Sequence, residues 1–307
     1  MKSAHKKMVN SVLYVGCLCV VLFAVPFAGC TPLNNQSNSQ KNHGLVEICV
    51  SSQIAPHKTP FLLNKLSQES PAIDTISYDC ISLSSSLPFF TPYVYGYNHY
   101  EKVYASMNIQ REGIPRTLYQ RQTNILGIPK DADGNVDWEL WVKEAKEIMA
   151  EVDVPQNIRM DSFSLSIDKG FIQGKCTLHW TGEMSQDDIQ NLRYSLFLKA
   201  DRIYLYEFND EHCFADNLAY DLVPLKGDIK EEYDGIGFSL FSSSDEYPTK
   251  ENPYITLSTE PFSIPIIEGF TEEQQPNWSL HLILNDGTNL SKNLYSWSFP
   301  IKEEENQ

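Results

Sequence analysis

The chain has 307 residues, of which 42% are hydrophobic, 12% aromatic and 21% charged. This apolar content is enough for a packed core and excludes global disorder, and the length allows about two domains. The 24 basic and 40 acidic residues give a formal net charge of −16, which repels a phosphate backbone and argues against a nucleic-acid partner.

The N-terminus has the layout of an export signal. Three lysines precede an uninterrupted apolar run over residues 12–28, and the run ends in Phe27-Ala28-Gly29-Cys30. This FAGC tetrad resembles the lipobox of bacterial lipoproteins, although Phe27 stands where that family most often has Leu. The resemblance implies that residues 1–29 are a signal peptide and that Cys30 is lipidated, which anchors the chain on the extracytoplasmic face of the cell membrane. An uncleaved signal-anchor helix is the alternative, and it leaves the body on the same side.

Residues 30–44 are predicted to be the lipidated cysteine followed by a disordered tether, because the stretch TPLNNQSNSQKN has almost no apolar content. Four cysteines remain beyond Cys30, and in an oxidising compartment they are disulfide candidates: Cys49, Cys80, Cys176 and Cys213. The pairs Cys49–Cys80 and Cys176–Cys213 would each stay within one predicted domain. The competing interpretation is that all four are buried small hydrophobes.

Residues 45–155 are predicted to form a small β-rich domain with one helix. Short strands are expected over Leu45–Val50, Asp79–Leu83, Tyr93–Tyr97 and Val103–Ile109, separated by frequent prolines. The helix is predicted over residues 137–152, where apolar residues recur at helical spacing from Trp138 to Val152. Asp137 is a suitable N-cap, and Val154-Pro155 ends the helix.

Two candidate sites lie in this region. Tyr93, Tyr95 and Tyr97 alternate, so on a strand they would share one face and could form a ligand platform, or simply a half-buried sheet face. Asp131, Asp133, Asn135 and Asp137 place oxygens at alternate positions, as in the first half of a Ca²⁺ loop. Gly134 and Val142 do not fit an EF-hand, however, so a turn leading to the N-cap competes with a metal site.

Residues 156–307 change to a period of two, which predicts half-buried strands. The alternation is clear at Phe163, Leu165 and Ile167, and again along residues 192–198 and 278–284. About eight short strands predict a mainly β fold with a C-terminal β-sandwich that resembles immunoglobulin-like surface modules in a generic way. Asp286-Gly287 predicts a tight turn within a closing hairpin over residues 278–301.

The sequence lacks the common catalytic signatures, including G-x-S-x-G, H-E-x-x-H, the Walker loop and C-x-x-C. We therefore expect a non-enzymatic lipoprotein of the cell surface that binds an extracellular protein or ligand, with no cofactor other than the Ca²⁺ considered above. The alternative is a secreted hydrolase that uses carboxylates, which predicts two facing carboxyls, one with a raised pKa. A two-lobed solute-binding protein fits poorly, because only one convincing helix is predicted.

Overall fold

A computed structural model describes residues 31–36, 40–50, 62–79, 94–107, 116–127, 129–134, 137–182, 184–201, 203–208, 211–241, 247–267 and 275–301. The predicted signal peptide, Cys30 and Cys80 lie outside these ranges. Residues 31–307 form one compact unit. Within the described part of the chain, no helix has both the length and the apolar character needed to cross a membrane.

The fold is mainly β, as predicted, and the strands that the structure describes form two large sheets and a small one. The nine-stranded sheet has the order β15 (Tyr295–Pro300), β14 (Asn277–Asp286), β8 (Leu192–Asp201), β11 (Leu218–Leu222), β3 (Ile73–Asp79), β2 (Gly44–Val50), β4 (Arg116–Tyr119), β5 (Thr123–Leu126), with β12 (Phe238–Ser239) also on β8. The four-stranded sheet has the order β1 (Thr31–Gln36), β6 (Ile158–Asp168), β7 (Phe171–Trp180), β13 (Tyr254–Ser258). A separate ribbon pairs β9 (Ile203–Phe208) with β10 (Glu211–Ala215).

The two large sheets pack face to face in a sandwich. The rings of Phe163 on β6 and Phe299 on β15 stack with their centroids 3.8 Å apart. Strand β7 alternates between buried and more exposed residues, because only one of its faces meets the core. Strand β8 is buried at most positions, because the nine-stranded sheet is covered on more than one face.

The nine-stranded sheet is mixed, since β2 pairs with β3 and β3 with β11 in parallel. This differs from the antiparallel sheets of immunoglobulin domains. It also corrects the predicted division at residues 155 and 156, because β3 comes from the first predicted domain and β11 from the second. The two segments share one continuous sheet, and the pairing that joins them is non-local and leaves no trace in local periodicity.

In the described ranges, four α-helices accompany the sheets: α1 (Leu62–Glu69), α2 (Val94–Ser106), α3 (Trp138–Glu151) and the short α4 (Gln186–Gln190). The prediction of α3 is confirmed, and the side chain of Asp137 accepts a hydrogen bond from the Leu140 amide at 2.9 Å as its N-cap. Helices α1 and α3 cover one face of β2 and β4 through a cluster that includes Leu66, Trp141 and Ala145.

Helix α2 corrects two predicted strands, Tyr93–Tyr97 and Val103–Ile109. Its buried positions are residues 96, 99, 100, 103 and 104, which is the spacing of one helical face. Gly96 allows this face to approach the sheet closely, since an added Cβ would lie 2.9 Å from the Ala219 side chain on β11. Packing on the sheet therefore overrides the β propensity of the tyrosines.

Two further predictions need correction. Residues 31–36 are not a disordered tether but strand β1, which pairs with β6, and Gln40 continues this contact by bridging Met160. A polar segment can add to a sheet edge because the pairing uses main-chain groups. The closing hairpin of β14 and β15 exists, but the tight turn at Asp286-Gly287 does not. The connection runs through residues 287–294, and Asp286 accepts hydrogen bonds from the Thr288 and Asn289 amides.

Candidate ligand-binding cleft

The described members of the two predicted sites of the N-terminal region do not share a strand face or a metal centre. Tyr95 and Tyr97 lie on helix α2 and not on a strand, while Tyr93 is outside the described residues. Asp131 accepts a hydrogen bond from the Asp133 amide in a turn, and Asp137 caps α3, while Asn135 is outside the described residues. No group of three or more His, Cys, Asp or Glu side chains able to hold a metal occurs in the described part of the chain.

The cysteines divide into two kinds. Cys49 on β2 is disulfide-bonded. Cys176 on β7 is a free thiol, so the candidate pair Cys176–Cys213 is wrong. Cys176 lies in the sandwich core, where burial raises the pKa of its thiol to about 12. It is therefore an inert small hydrophobe in the sense of the competing interpretation.

A cleft of about 620 Å³ opens beside the first residue of β2. It is bounded by the segment 41–44, the loop 70–73 between α1 and β3, the last turns of α3 and the segment after that helix. The residues that line it are Lys41, Asn42, His43, Gly44, Ser70, Pro71, Ala72, Ile73, Lys146, Met149, Ala150, Val154 and Gln156.

One wall of the cleft is fixed by the buried side chain of Asn42. Its Nδ2 donates to the carbonyls of Pro155 and Leu294 at 2.8 and 3.1 Å, and its Oδ1 accepts from the Ser296 amide at 2.7 Å. Gln156 completes the wall, because its side chain accepts from the Asn42 amide and donates to the Asn42 carbonyl. The cleft is thus built before any ligand arrives.

His43 lines the cleft and is hydrogen-bonded to a buried carboxylate. Its Nδ1 lies 3.2 Å from Asp74 Oδ1, and 28% of its side chain is exposed. The hydrogen bond to Asp74 raises the pKa of His43 above its ordinary value, although partial burial opposes the shift. Burial alone would raise the pKa of Asp74, but the bond from His43 and the charge of Lys199 keep it below its ordinary value.

Asp74 also belongs to a buried group with Ser296 and His281. The group contains the residue types of a catalytic triad, but its hydrogen bonds run in the opposite direction. Ser296 Oγ lies 2.9 Å from Asp74 Oδ2 and 3.1 Å from His281 Nε2. Because a carboxylate can only accept, the Ser296 hydroxyl donates to Asp74 and accepts from His281 Nε2–H. His281 therefore donates to the serine and cannot act as its base. Both side chains are fully buried, so Ser296 is not a nucleophile.

A second buried polar network surrounds Arg121. Gln120 and Arg121 form the β4–β5 turn with φ of 49° and 53°, a left-handed conformation that costs free energy for residues other than glycine. The strained turn directs Arg121 inward, where its Nε and Nη2 donate to Glu47 at 2.7 and 2.9 Å. Nη1 donates to Asn285 and to the Leu290 carbonyl.

His99 on α2 completes this network. Its Nε2 lies 2.7 Å from Arg121 Nη2, and because arginine only donates, Nε2 is unprotonated and the proton is on Nδ1. Nδ1 faces the Gly235 carbonyl at 3.0 Å and the Tyr233 hydroxyl at 2.8 Å. Burial, followed by the charge of Arg121, lowers the pKa of His99 to about 3. The members of this network are buried and hydrogen-bonded to one another, which is the arrangement of a structural network within the core.

The third cluster joins the N-terminus of α1 to strands β8 and β11. Asp216 Oδ2 accepts from the Asn64 amide at 2.8 Å, and Asn64 Nδ2 donates to Asp201. The second oxygen of this carboxyl, Asp216 Oδ1, is buried and accepts no hydrogen bond from the described residues. Burial first, and then a hydrogen bond to Asp201, raise the pKa of Asp216 to about 9. Asp216 is therefore protonated at neutral pH and donates to Asp201.

The comparisons with known proteins describe the fold and no function. No family model matches the chain, and no curated protein matches it. Among solved structures, HBP35 of Porphyromonas gingivalis is similar with a TM-score of 0.54 at 7% identity, covering 88% of this chain and 79% of that chain. A protein of Agrobacterium tumefaciens has a TM-score of 0.47 at 9% identity, covering 87% of this chain and 99% of that one. The likeness to HBP35 supports a β-rich architecture.

Proposed function

We propose that this chain is a lipid-anchored extracytoplasmic binding protein whose ligand occupies the cleft beside His43, and that it performs no chemistry on that ligand. The observation that carries the proposal is the cleft itself. Its volume of about 620 Å³ lies in the range of small-molecule sites. Its wall at Asn42 and Gln156 is already held by hydrogen bonds, which lowers the entropy lost on binding.

The chemistry around His43 supports binding over catalysis. Nδ1 is committed to Asp74, and no hydroxyl or thiol of the described residues lies within hydrogen-bond distance of Nε2. Ser296, the serine that is hydrogen-bonded to Asp74, donates its proton to that carboxylate and is not exposed. An activated nucleophile requires the reverse arrangement, in which the imidazole accepts the proton.

The anchor rests on the lipobox-like residues 27–30. Removal of residues 1–29 takes away three of the 24 basic residues and no acidic residue, which leaves 21 basic and 40 acidic residues and a net charge of −19. Strand β1 begins at Thr31, so a lipid on Cys30 would hold the folded body next to the membrane surface without a long spacer.

The anchor is tested by intact mass and detergent partitioning of the chain from its host membrane, with Cys30→Ala beside it. We expect the native chain to be cleaved, acylated and detergent-soluble, and the variant to be unprocessed. If the variant has the same mass and partitioning as the native chain, the lipoprotein assignment is wrong.

Binding is tested on the native chain in nanodiscs by ligand-observed NMR with a library of small polar and amphiphilic fragments. Ala150→Leu places a larger side chain into the cleft from an exposed position of α3, and Ala105→Leu makes the same change at an exposed position of α2 that does not line the cleft. We expect fragments to lose binding to the first variant only and to be recovered unchanged. Fragments that bind Ala150→Leu as well as they bind the native chain, or that are converted to products, would overturn the proposal.

The facing carboxyls of Asp201 and Asp216 favour a second candidate, the anchored hydrolase, since one of the pair has a raised pKa. Their hydrogen-bonded contact resembles two carboxyls that share a proton, whereas the pair in most glycosidases is separated by ~5 Å or more. Asp216 is only 3% exposed and caps α1, which fits a structural role. Asp201→Asn would abolish any hydrolysis by this pair, measured on chromogenic peptide and glycoside substrates.

A further inference from the structure

We propose that the ligand of this cleft is a small aliphatic carboxylate, attracted by Lys41 and Lys146 and packed against the apolar wall formed by the loop 70–73 and the end of α3. This inference rests on the proposed binding function and adds the chemical class of the ligand. It is carried by the charge and the composition of the lining, which divide the cleft into a cationic and an apolar part.

The cationic part is exceptional for this chain. Lys41, His43 and Lys146 all line the cleft, and no Asp or Glu is among its lining residues. The chain as a whole has a net charge of −16. The lysines of the lining attract anions, although Asp74 beside His43 and Glu69 beside Lys146 offset part of the positive charge. Lys146 is partly neutralised by Glu69 at 2.8 Å, so Lys41 supplies the less compensated charge.

The apolar part requires a ligand with a hydrocarbon portion. It is lined by Pro71, Ala72, Ile73, Met149, Ala150 and Val154. Met149 reaches the start of β2 because Gly44 has no side chain there, and an added Cβ would lie 2.3 Å from its Cε. Met149 is a flexible side chain that adapts to aliphatic groups of different shape.

His43 adds a donor under acidic conditions. Since Nδ1–H donates to Asp74, the neutral ring presents only the lone pair of Nε2, which is an acceptor and cannot bond to a carboxylate, because the carboxylate has no proton to donate. The protonated ring presents Nε2–H, which binds a carboxylate. The titratable groups that face His43 are Asp74 on β3, to which it is bonded, and beyond Asp74 the side chains of Lys199 on β8 and His281 on β14, whose ring is neutral because burial lowers its pKa to about 3. Lys41 and Lys146 share the cleft with it.

The experiment is equilibrium dialysis of the native chain in neutral phosphatidylcholine nanodiscs, with empty nanodiscs as the blank. Three labelled probes share one chain length: hexanoate, hexanol and hexylamine. We expect hexanoate to bind, hexanol to bind at least tenfold more weakly, and hexylamine not to bind. Added salt should weaken hexanoate binding, because the lysines are exposed to solvent.

The matched variants separate attraction from stability. Lys41→Gln and Lys146→Gln should each weaken hexanoate binding about three- to fivefold, as expected for partly exposed charges, and should weaken hexanol binding less, since the alcohol carries no charge. Lys65→Gln is the control, because Lys65 also pairs with Glu69 and Glu139 but does not line this cleft. It should change neither.

The outcomes distinguish this inference from the function on which it rests. Equal binding of hexanol and hexanoate, or preference for hexylamine, would overturn the carboxylate proposal and leave a binding cleft. Failure of all three probes to bind would overturn the carboxylate proposal, while fragment hits sensitive to Ala150→Leu would still support a binding protein. Equal losses in Lys65→Gln and Lys146→Gln would assign the effect to stability.

Discussion

The protonated carboxyl of Asp216 makes a specific prediction about stability and pH. The unfolded chain ionises Asp216 with a pKa near 3.8, whereas the folded chain raises it to about 9. Because the folded state binds the proton more tightly, this group contributes stability that is fully present below pH 3.8 and is lost progressively as the pH rises through about 9.

Asp216→Asn replaces the protonated carboxyl with an amide of nearly the same shape that does not ionise. Its amide oxygen can accept from the Asn64 amide, and its amide nitrogen can donate to Asp201, as the carboxylic acid does. At ~1.4 kcal/mol for each pH unit above the unfolded pKa, the variant should gain about 1 kcal/mol over the native chain at pH 4.5 and up to about 4 kcal/mol at pH 7. Water that enters the cluster on ionisation would reduce the second value to ~2 kcal/mol.

The assay is urea unfolding of both chains at pH 4.5 and pH 7, followed by far-ultraviolet circular dichroism. Asp168→Asn, at the exposed end of β6, is the control for loss of an acidic residue and should show no such change with pH. The reasoning is refuted if Asp216→Asn is no more stable than the native chain at pH 7, or if its gain does not increase between the two pH values.

Two further predictions concern the Arg121 network and His43. Arg121→Met leaves Glu47 buried without its partner and should destabilise the fold by about 3–5 kcal/mol in urea unfolding. The double variant with Glu47→Gln should recover more than half of that loss, because no buried charge remains. If the double variant is no more stable than the single variant, the loss is due to packing. Hexanoate affinity should fall as the pH rises through the pKa of His43, which is raised above 6.5. In the His43→Gln variant, equilibrium dialysis should give a hexanoate affinity that does not change with pH over the same range. If the affinity of that variant still falls with pH as in the native chain, His43 is not part of the site.

The elements that the sequence predicted correctly are those whose signal is local. Helix α3 was identified by apolar spacing together with its Asp137 cap, and β6, β8 and β14 by alternation. Helix α2 was missed because tyrosines favour strands, although the buried positions 96, 99, 100, 103 and 104 have helical spacing. That spacing includes a glycine and a histidine, which do not register as an apolar stripe.

The cleft could not be found in this way, because its parts come from distant segments. His43 and Asp74 are 31 residues apart, and Ser296 is 222 residues from Asp74. They meet because β2 and β3 pair in parallel and because β15, although it is at the far edge of the sheet in strand order, contacts both β2 and β3. Such contacts between distant segments leave no trace in a local pattern. The same holds for Asp201 and Asp216, whose contact requires β8 to pair with β11.

Composition, charge and periodicity by themselves determined that this chain folds, that it is acidic, that it is mainly β and that one strongly amphipathic helix follows Asp137. These properties depend on the residues themselves and on neighbours within one turn or one strand. Only the tertiary structure decided that one mixed sheet joins both halves, that β1 covers the edge of β6, and that His43 lines a cleft together with Lys41 and Lys146. Those features arise from pairing between segments far apart in the chain, where the free energy of burial and main-chain hydrogen bonding selects the partner.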